Sequence, residues 1–307
     1  MELISIVIVT YNSEKFILET LESIKNQTYN NIELIITDDN SMDRTIELCR
    51  VWSRKNSSRF KRLEVLEYKK NSGIVANINR GVRVSKGVYF KSLAGDDLLV
   101  EDCIEKMYNY SKKNKSRILF SNYELFGNKN IDYNNKLRIK KSYFYLNADK
   151  QYKKLLKANY VPAPTSFIER ATYDYLGGFD EKFSMLEDWP FWIKATNKMI
   201  KLDYMDNVLV RYRVMGESVS NNIYSYNERY IESLESFYRL ERKSNMLKNL
   251  NFLRIIYEEI EFKLINKIIE KGNNKKRIKI TDRLMVLFSP IHIALLIKQV
   301  FRKIRTK

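Results

Sequence analysis

The sequence predicts an α/β protein whose parallel sheet is covered by helices on both faces. Two observations carry that reading. Through the first 130 residues, strand-like runs alternate with segments of helical period, and the connections between them are short. Residues 4–9 are a β-branched run, the pattern of a strand buried on both faces. Residues 14–26 follow with Phe16, Ile17, Leu21 and Ile24 at helical spacing. The alternation then repeats three times, with strands at 32–37, 63–68 and 88–93 and helices at 43–53, 74–84 and 100–112. From Arg117 the pattern loosens. It keeps a strand at 118–126, an extended Val161-Pro162-Ala163-Pro164 connector, a Gly177-Gly178 turn, a helix at 191–197 opened by Glu187-Asp188-Trp189-Pro190, and a strand at 208–214. Beyond Asn221 the period is helical, with about three helices before a basic end. The expected organisation is one α/β domain over 1–220, followed by a helical extension over 221–307.

At 307 residues the chain is long enough for a large core, and 44% apolar with 30% charged residues is an ordinary globular balance. Two cysteines, Cys49 and Cys103, give neither a disulfide framework nor a metal cluster. The single histidine, His292, excludes sites built on two imidazoles and leaves the chemistry to carboxylates. The N-terminus has an acid at position 2 and no basic leader, so it reads as a strand and not as a signal peptide. The longest apolar stretch, 284–297, is broken by Ser289, Pro290 and His292 and falls short of the ~20 residues that span a bilayer. A cytoplasmic protein is expected.

In such sheets ligands bind at the carboxyl ends of the strands. There the chain places Thr10-Tyr11-Asn12, then Asp38-Asp39-Asn40-Ser41, then Asp96-Asp97. The first turn has no glycine cradle, which excludes a dinucleotide-binding Rossmann site. Asp96-Asp97 suit a hard divalent cation with open positions for phosphate oxygens, or equally the cap of the helix that follows. Asp38-Asp39 read as ligand groups or as an Asx-turn. Glu187-Asp188, beside Trp189 and Trp192, suit a general base of raised pKa, or acids favoured at a helix N-terminus.

Taken in order, these pieces resemble the family 2 glycosyltransferases. Ile6-Val7-Ile8-Val9-Thr10-Tyr11-Asn12 is similar to the family's opening, and residues 33–43 to its E-x-I-x-x-D-D-G-S-x-D block. Asn71-Ser72-Gly73 and Lys86-Gly87-Val88-Tyr89 resemble its N-x-G and G-x-Y elements. Ala94-Gly95-Asp96-Asp97 stands at the place of its D-x-D-D metal motif, and Gly177-Gly178-Phe179-Asp180 with Glu187-Asp188-Trp189 at its catalytic block. The resemblance implies a GT-A catalytic domain with a nucleotide-binding half (1–100) and an acceptor half (101–220), and inverting transfer from a nucleotide-sugar, with UDP the favoured carrier and GDP or dTDP left open. It implies that Thr10, Tyr11, Asn12, Asp38, Asp39 and Asp96 bind nucleotide, and that Asp97 with Asp96 ligates Mn²⁺ or Mg²⁺. Asp188 would be the base, with Glu187 positioning sugar or acceptor. Two departures stand out: Ala94 replaces the first acid of the metal motif, and Met215 stands where many relatives carry a histidine.

The net charge of +18 is uneven, since residues 271–307 hold eleven basic side chains against Asp282 alone. With the apolar run, residues 280–305 have the composition of a helix lying on an anionic membrane surface. The composition also resembles enzymes of bacterial O-antigen or capsule synthesis, which implies an undecaprenyl-diphosphate-linked saccharide acceptor at the inner membrane's cytoplasmic face. No nucleic-acid signature accompanies the charge. A catalytically silent nucleotide-sugar binder is the other reading that the two departures leave open.

Overall fold

The computed structural model describes residues 1–127, 139–214 and 227–270. The chain divides into two compact units, Met1–Met215 and Gly216–Lys307.

The first unit opens with β1 (Ile4–Thr10), α1 (Ile17–Lys25), β2 (Ile32–Asp38), α2 (Thr45–Asn56), β3 (Arg62–Glu67), α3 (Ile74–Val84) and β4 (Tyr89–Ala94). It continues with β5 (Leu98–Leu99), α4 (Cys103–Asn114), β6 (Ile118–Gly127), α5 (Ala148–Leu155), β7 (Ser166–Glu169), α6 (Arg170–Tyr175), α7 (Asp188–Asn197) and β8 (Leu202–Val214). The strands form one sheet in the order β3-β2-β1-β4-β7-β6-β8-β5. β1 pairs in parallel with β2 and β4, β2 with β3, and β6 with β8. β7 runs antiparallel between β4 and β6, and β5 antiparallel to β8. The result is the mixed α/β sheet of a GT-A fold. Its parallel portion is the part announced by continuous apolar runs, and Ile4, Ile6, Ile8, Ile32, Leu34 and Ile36 are fully buried.

Glu33 shows how the two ends of this sheet differ. It lies near the amino end of β2 with no exposure, and its carboxylate accepts from Ser5 Oγ (2.5 Å), the backbone N–H groups of Lys86 and Gly87, and Arg62 Nη1 (3.0 Å). A buried charge is tolerable when fully hydrogen-bonded and paired, so this acid ties strands together. α3 lies close to the sheet because Gly81 has no side chain: a Cβ there would come within 2.5 Å of Val7 Cγ1.

Differences from the sequence reading are local. β8 begins six residues before the expected 208, because exposed Asp206 and Asn207 interrupt its apolar pattern at a register shift opposite Asn122. α5 lies in a lysine-rich stretch with no obvious period; Asn147 caps it by accepting from the Lys150 N–H at 3.0 Å. In the second unit, α8 (Glu228–Phe237), a π-helical turn (Tyr238–Arg242), α9 (Lys243–Lys248) and α10 (Phe252–Glu270) account for the helical period after 221. Arg242 and Glu258 pair at its centre at 2.7 Å, both almost fully buried.

Candidate active site

The loops after β1, β2 and β4 meet at the carboxyl rim of the parallel strands, as the topology requires. Thr10 Oγ1 donates to Asp38 Oδ1 at 2.7 Å, and the Asp39 N–H donates to the Thr10 carbonyl at 3.1 Å. Asp38 also accepts from the Ser41 N–H (2.7 Å) and Ser41 Oγ (2.5 Å), which is an Asx-turn. Asn12, at φ 51°, joins the same loop: its side-chain carbonyl accepts from the Met42 N–H at 2.9 Å. Tyr11 between them is half exposed.

Asp39 is held from another direction. Its carboxylate accepts from the Ser72 N–H (3.0 Å) and the Gly73 N–H (2.7 Å) just before α3, and from Arg80 Nη2 (2.7 Å). Gly73 takes φ +90° to present that N–H, a conformation glycine adopts readily. Arg80 in turn stacks on Tyr68, its guanidinium carbon 4.0 Å from the ring centroid. Asp38 and Asp39 are thus turn acids at the rim, held by the chain's own donors.

Asp96 and Asp97 are different. The Gly95 N–H donates to the Val9 carbonyl at 3.0 Å, which brings this turn beside Thr10. Asp97 is 1% exposed. Its Oδ1 accepts from the Arg213 N–H at 2.8 Å, while its Oδ2 is buried with no hydrogen-bond partner among the described residues. Burial, then the neighbouring charge of Asp96, raises its pKa well above the carboxylate range. Burial also raises that of Asp96, partly offset by Arg213. A buried carboxylate oxygen without a donor suits a cation. Two adjacent hard oxygen donors fit an ion such as Mg²⁺ or Mn²⁺, which fills the rest of its shell with phosphate oxygens and water. Among the described residues no third acid, histidine or cysteine joins them in a metal-sized cluster, in keeping with Ala94. Met215 lies outside the described residues.

Glu187 and Asp188 open α7. Asn159 Nδ2 donates to Asp188 Oδ2 at 2.7 Å, and the Trp189 N–H donates to Oδ1 at 2.6 Å. Burial raises the Asp188 pKa, and these donors act against that rise. Burial, then the charge of Asp188, raises that of Glu187. Two close approaches tie the neighbourhood of this segment to the parallel part of the sheet and to the start of α3. A Cβ on Gly73 would lie 3.1 Å from the Ser184 carbonyl, and the buried Lys91 of β4 donates to the Pro164 carbonyl, five residues beyond Asn159.

Three residues of the site escaped the sequence reading. Arg213 stands between Tyr212 and the Val214-Met215 pair; its Nε donates to the Asp96 carbonyl (2.8 Å) and its Nη2 to Glu19 (2.7 Å). It is sandwiched against Phe16 and Phe126, 4.4 and 4.3 Å from their centroids. Arg80 and Asn159 act across 41 and 29 residues of sequence. Only the N-x-G element before α3 and the Tyr-Arg pair at the end of β8 hinted at the first two, and nothing marked Asn159.

The profile of glycosyl transferase family 2 matches residues 5–189, which include Asp38, Asp39, Asp96, Asp97, Glu187 and Asp188. The chain belongs to this family. It is a glycosyltransferase that takes its sugar from a nucleotide-sugar. It is 29% identical over 252 residues to the Escherichia coli UDP-Glc:alpha-D-GlcNAc-diphosphoundecaprenol beta-1,3-glucosyltransferase WfaP, covering 81% of this chain and 87% of that one. Its fold is similar to that of S. aureus TarS 1–349 in complex with UDP-GlcNAc, with a TM-score of 0.58 at 18% identity over 85% of this chain and 80% of that one. It is also similar to the mannosyltransferase PcManGT from Pyrobaculum calidifontis, solved with GDP-Man and Mn²⁺, with a TM-score of 0.57 at 15% identity over 98% of this chain and 87% of that one.

Proposed function

We propose that this family 2 enzyme transfers a hexose from a UDP-sugar, with inversion, to a hydroxyl of an undecaprenyl-diphosphate-linked saccharide in bacterial surface-polysaccharide synthesis. The observation that carries the chemistry is the buried, unpartnered Oδ2 of Asp97 in the turn after β4, together with the Glu187-Asp188 pair at the start of α7. The donor and acceptor classes are supported by the likeness to WfaP and to the UDP-sugar-bound TarS.

In this reading Thr10, Tyr11 and Asn12 hold the base and ribose, and Asp38 and Asp39 fix the shape of that subsite. Asp97 Oδ2, with Asp96, would hold Mn²⁺ or Mg²⁺, which when bound neutralises charge on the diphosphate leaving group. Arg213 keeps both acids in register. Asp188 accepts the acceptor hydroxyl's proton as that oxygen bonds to the anomeric carbon. The bond from that carbon to the diphosphate breaks on the opposite face, so a single displacement inverts the configuration. The raised pKa of Asp188 makes it a stronger base than a solvated carboxylate, and Glu187 orients sugar or acceptor.

The expected location is peripheral, on the cytoplasmic face of the inner membrane, with residues 280–305 on anionic headgroups and no nucleic-acid partner. Those residues lie outside the described ones; among the described residues no helix is long and apolar enough to cross a membrane. The first test is calorimetric titration with UDP, GDP and dTDP, in Mn²⁺ and in chelator. UDP binding that strengthens with Mn²⁺ in the wild type, and not in Asp97→Ala, is the expected result. Equal binding in chelator removes the cation from the reading. Ala94 favours one second reading, a silent nucleotide-sugar binder, which predicts UDP-sugar binding with no transfer or hydrolysis.

A further inference from the structure

The three tryptophans of the chain differ in what their indole N–H groups meet. Trp52 Nε1 donates to Glu22 Oε1 at 2.6 Å, and Trp189 Nε1 to the Leu155 carbonyl at 2.8 Å. Trp192 Nε1 is buried with no hydrogen-bond partner among the described residues. The residue is 1% exposed, and its ring is fixed edge-on against Phe120 and Phe191, with centroids 4.9 and 5.4 Å away. A buried donor left unbonded is costly, and a native fold keeps few of them.

The helix points to the acceptor that this donor can serve. Asp188 is the first residue of α7, and Trp192 lies four residues on. Residues at that spacing share one face of a helix, with Cβ atoms about 5–6 Å apart. Long helical side chains also lean toward the N-terminus, so an aromatic residue covers the turn before its own. In keeping with this, the Trp192 side chain is among the groups that favour the ionised form of Asp188.

Asp188 has room for it. The Trp189 N–H takes one lone pair of Oδ1 and Asn159 Nδ2 one of Oδ2, and each carboxylate oxygen has a second. An indole N–H can only donate, so it prefers the carboxylate to the neutral acid. That preference opposes burial, which works to protonate Asp188 and so to disable it as a base.

We infer that the Trp192 indole N–H is a third donor to the Asp188 carboxylate, a positioning residue that closes on the base and holds it ready for the acceptor's proton. The catalytic consequence rests on Asp188 being the base; the contact itself can be read without turnover. The elements packed here bring other titratable groups: Glu187 on the same turn, Tyr152 on α5 and Tyr160 beside Asn159. Burial raises all three.

The test is nuclear magnetic resonance of the full chain with ¹⁵N-labelled tryptophan, whose three indole signals are assigned with Trp52→Phe, Trp189→Phe and Trp192→Phe. As pH rises past the ordinary carboxylate range, the Trp192 proton should move downfield. Asp188→Asn should abolish that movement, and Glu187→Gln should preserve it. In transfer assays Trp192→Phe, which keeps a ring and loses the N–H, should shift the acidic limb of the rate–pH profile upward. Three results overturn the inference. A Trp192 signal that stays still in the wild type removes the contact. One that still moves in Asp188→Asn belongs to Glu187 or a tyrosine. An unmoved acidic limb in Trp192→Phe leaves the indole a packing group. Near-normal turnover of Asp188→Asn would overturn the base assignment instead, with the indole titration intact.

Discussion

Asp38-Asp39 and Asp96-Asp97 are chemically the same pair, two consecutive aspartates just after a parallel strand, yet the fold treats them differently. Every oxygen of the first pair has a donor: Thr10 and Ser41 for Asp38, and Ser72, Gly73 and Arg80 for Asp39. In the second pair Arg213 satisfies one oxygen of Asp97 and leaves the other buried and unpartnered. Glu187-Asp188 falls between these cases, with Asp188 gripped by Asn159 and Glu187 left to burial and its neighbour's charge. Acids that the chain satisfies by itself hold shape. In the proposed mechanism, acids that it leaves short are where a cation or a proton completes the chemistry.

The largest effect should come from the base. Asp188→Asn keeps the shape and one acceptor oxygen but cannot take a proton, so transfer should fall about 10²–10⁴-fold. UDP affinity by calorimetry should stay within twofold, and near-normal turnover would take Asp188 out of the role. The next effects test the comparison through stability, with opposite signs. Asp39→Ala breaks a nearly buried ion pair and strands Arg80, and should cost about 3–5 kcal/mol in urea denaturation. Glu187→Gln should instead stabilise. The folded-state pKa of Glu187 is raised, so its protonated form is favoured in the fold; stability is intact at low pH and declines as pH rises toward the raised value. The glutamine variant should therefore melt about 2–4 °C higher than wild type at pH 7.5, the equivalent of about 1 kcal/mol, with no gain at pH 4. A loss at pH 7.5 would mean that Glu187 is held by donors after all. The smallest effect belongs to Asn159→Ala. Its hydrogen bond favours the ionised form of Asp188, so its removal should move the acidic limb of the rate–pH profile upward. A uniform drop in rate with an unmoved limb would reduce Asn159 to a packing role.

The parts legible in the sequence are those with local causes. Apolar runs such as Ile32–Asp38 could be strands of a buried sheet and little else, and the topology then placed their trailing polar residues on one rim. The same locality explains the misses. Asn159 is an unremarkable residue in a loop until the fold brings it against Asp188, and Arg80 lies inside a helix with nothing to mark which acid it serves. The difference between the two aspartate pairs is also invisible in one dimension, because it depends on which backbone N–H groups arrive from α3 and β8. Asp206-Asn207 hid the start of β8 for a different reason: a register shift exposes polar residues within a strand, so its alternation breaks where the pairing does not end.

Lys91 sets a practical limit on recombining this enzyme with its relatives. Its buried ammonium joins β4 to the Pro164 carbonyl, and β7 inserts antiparallel between β4 and β6 immediately afterwards. A chimaera spliced near residue 100, to bring a new acceptor half to this donor half, would put a foreign loop against that lysine and a foreign strand beside β4. The proposed donor half and acceptor half are therefore not separable modules here. Exchanges meant to change the acceptor should be confined to segments that neither accept the Lys91 hydrogen bond nor pair with β4.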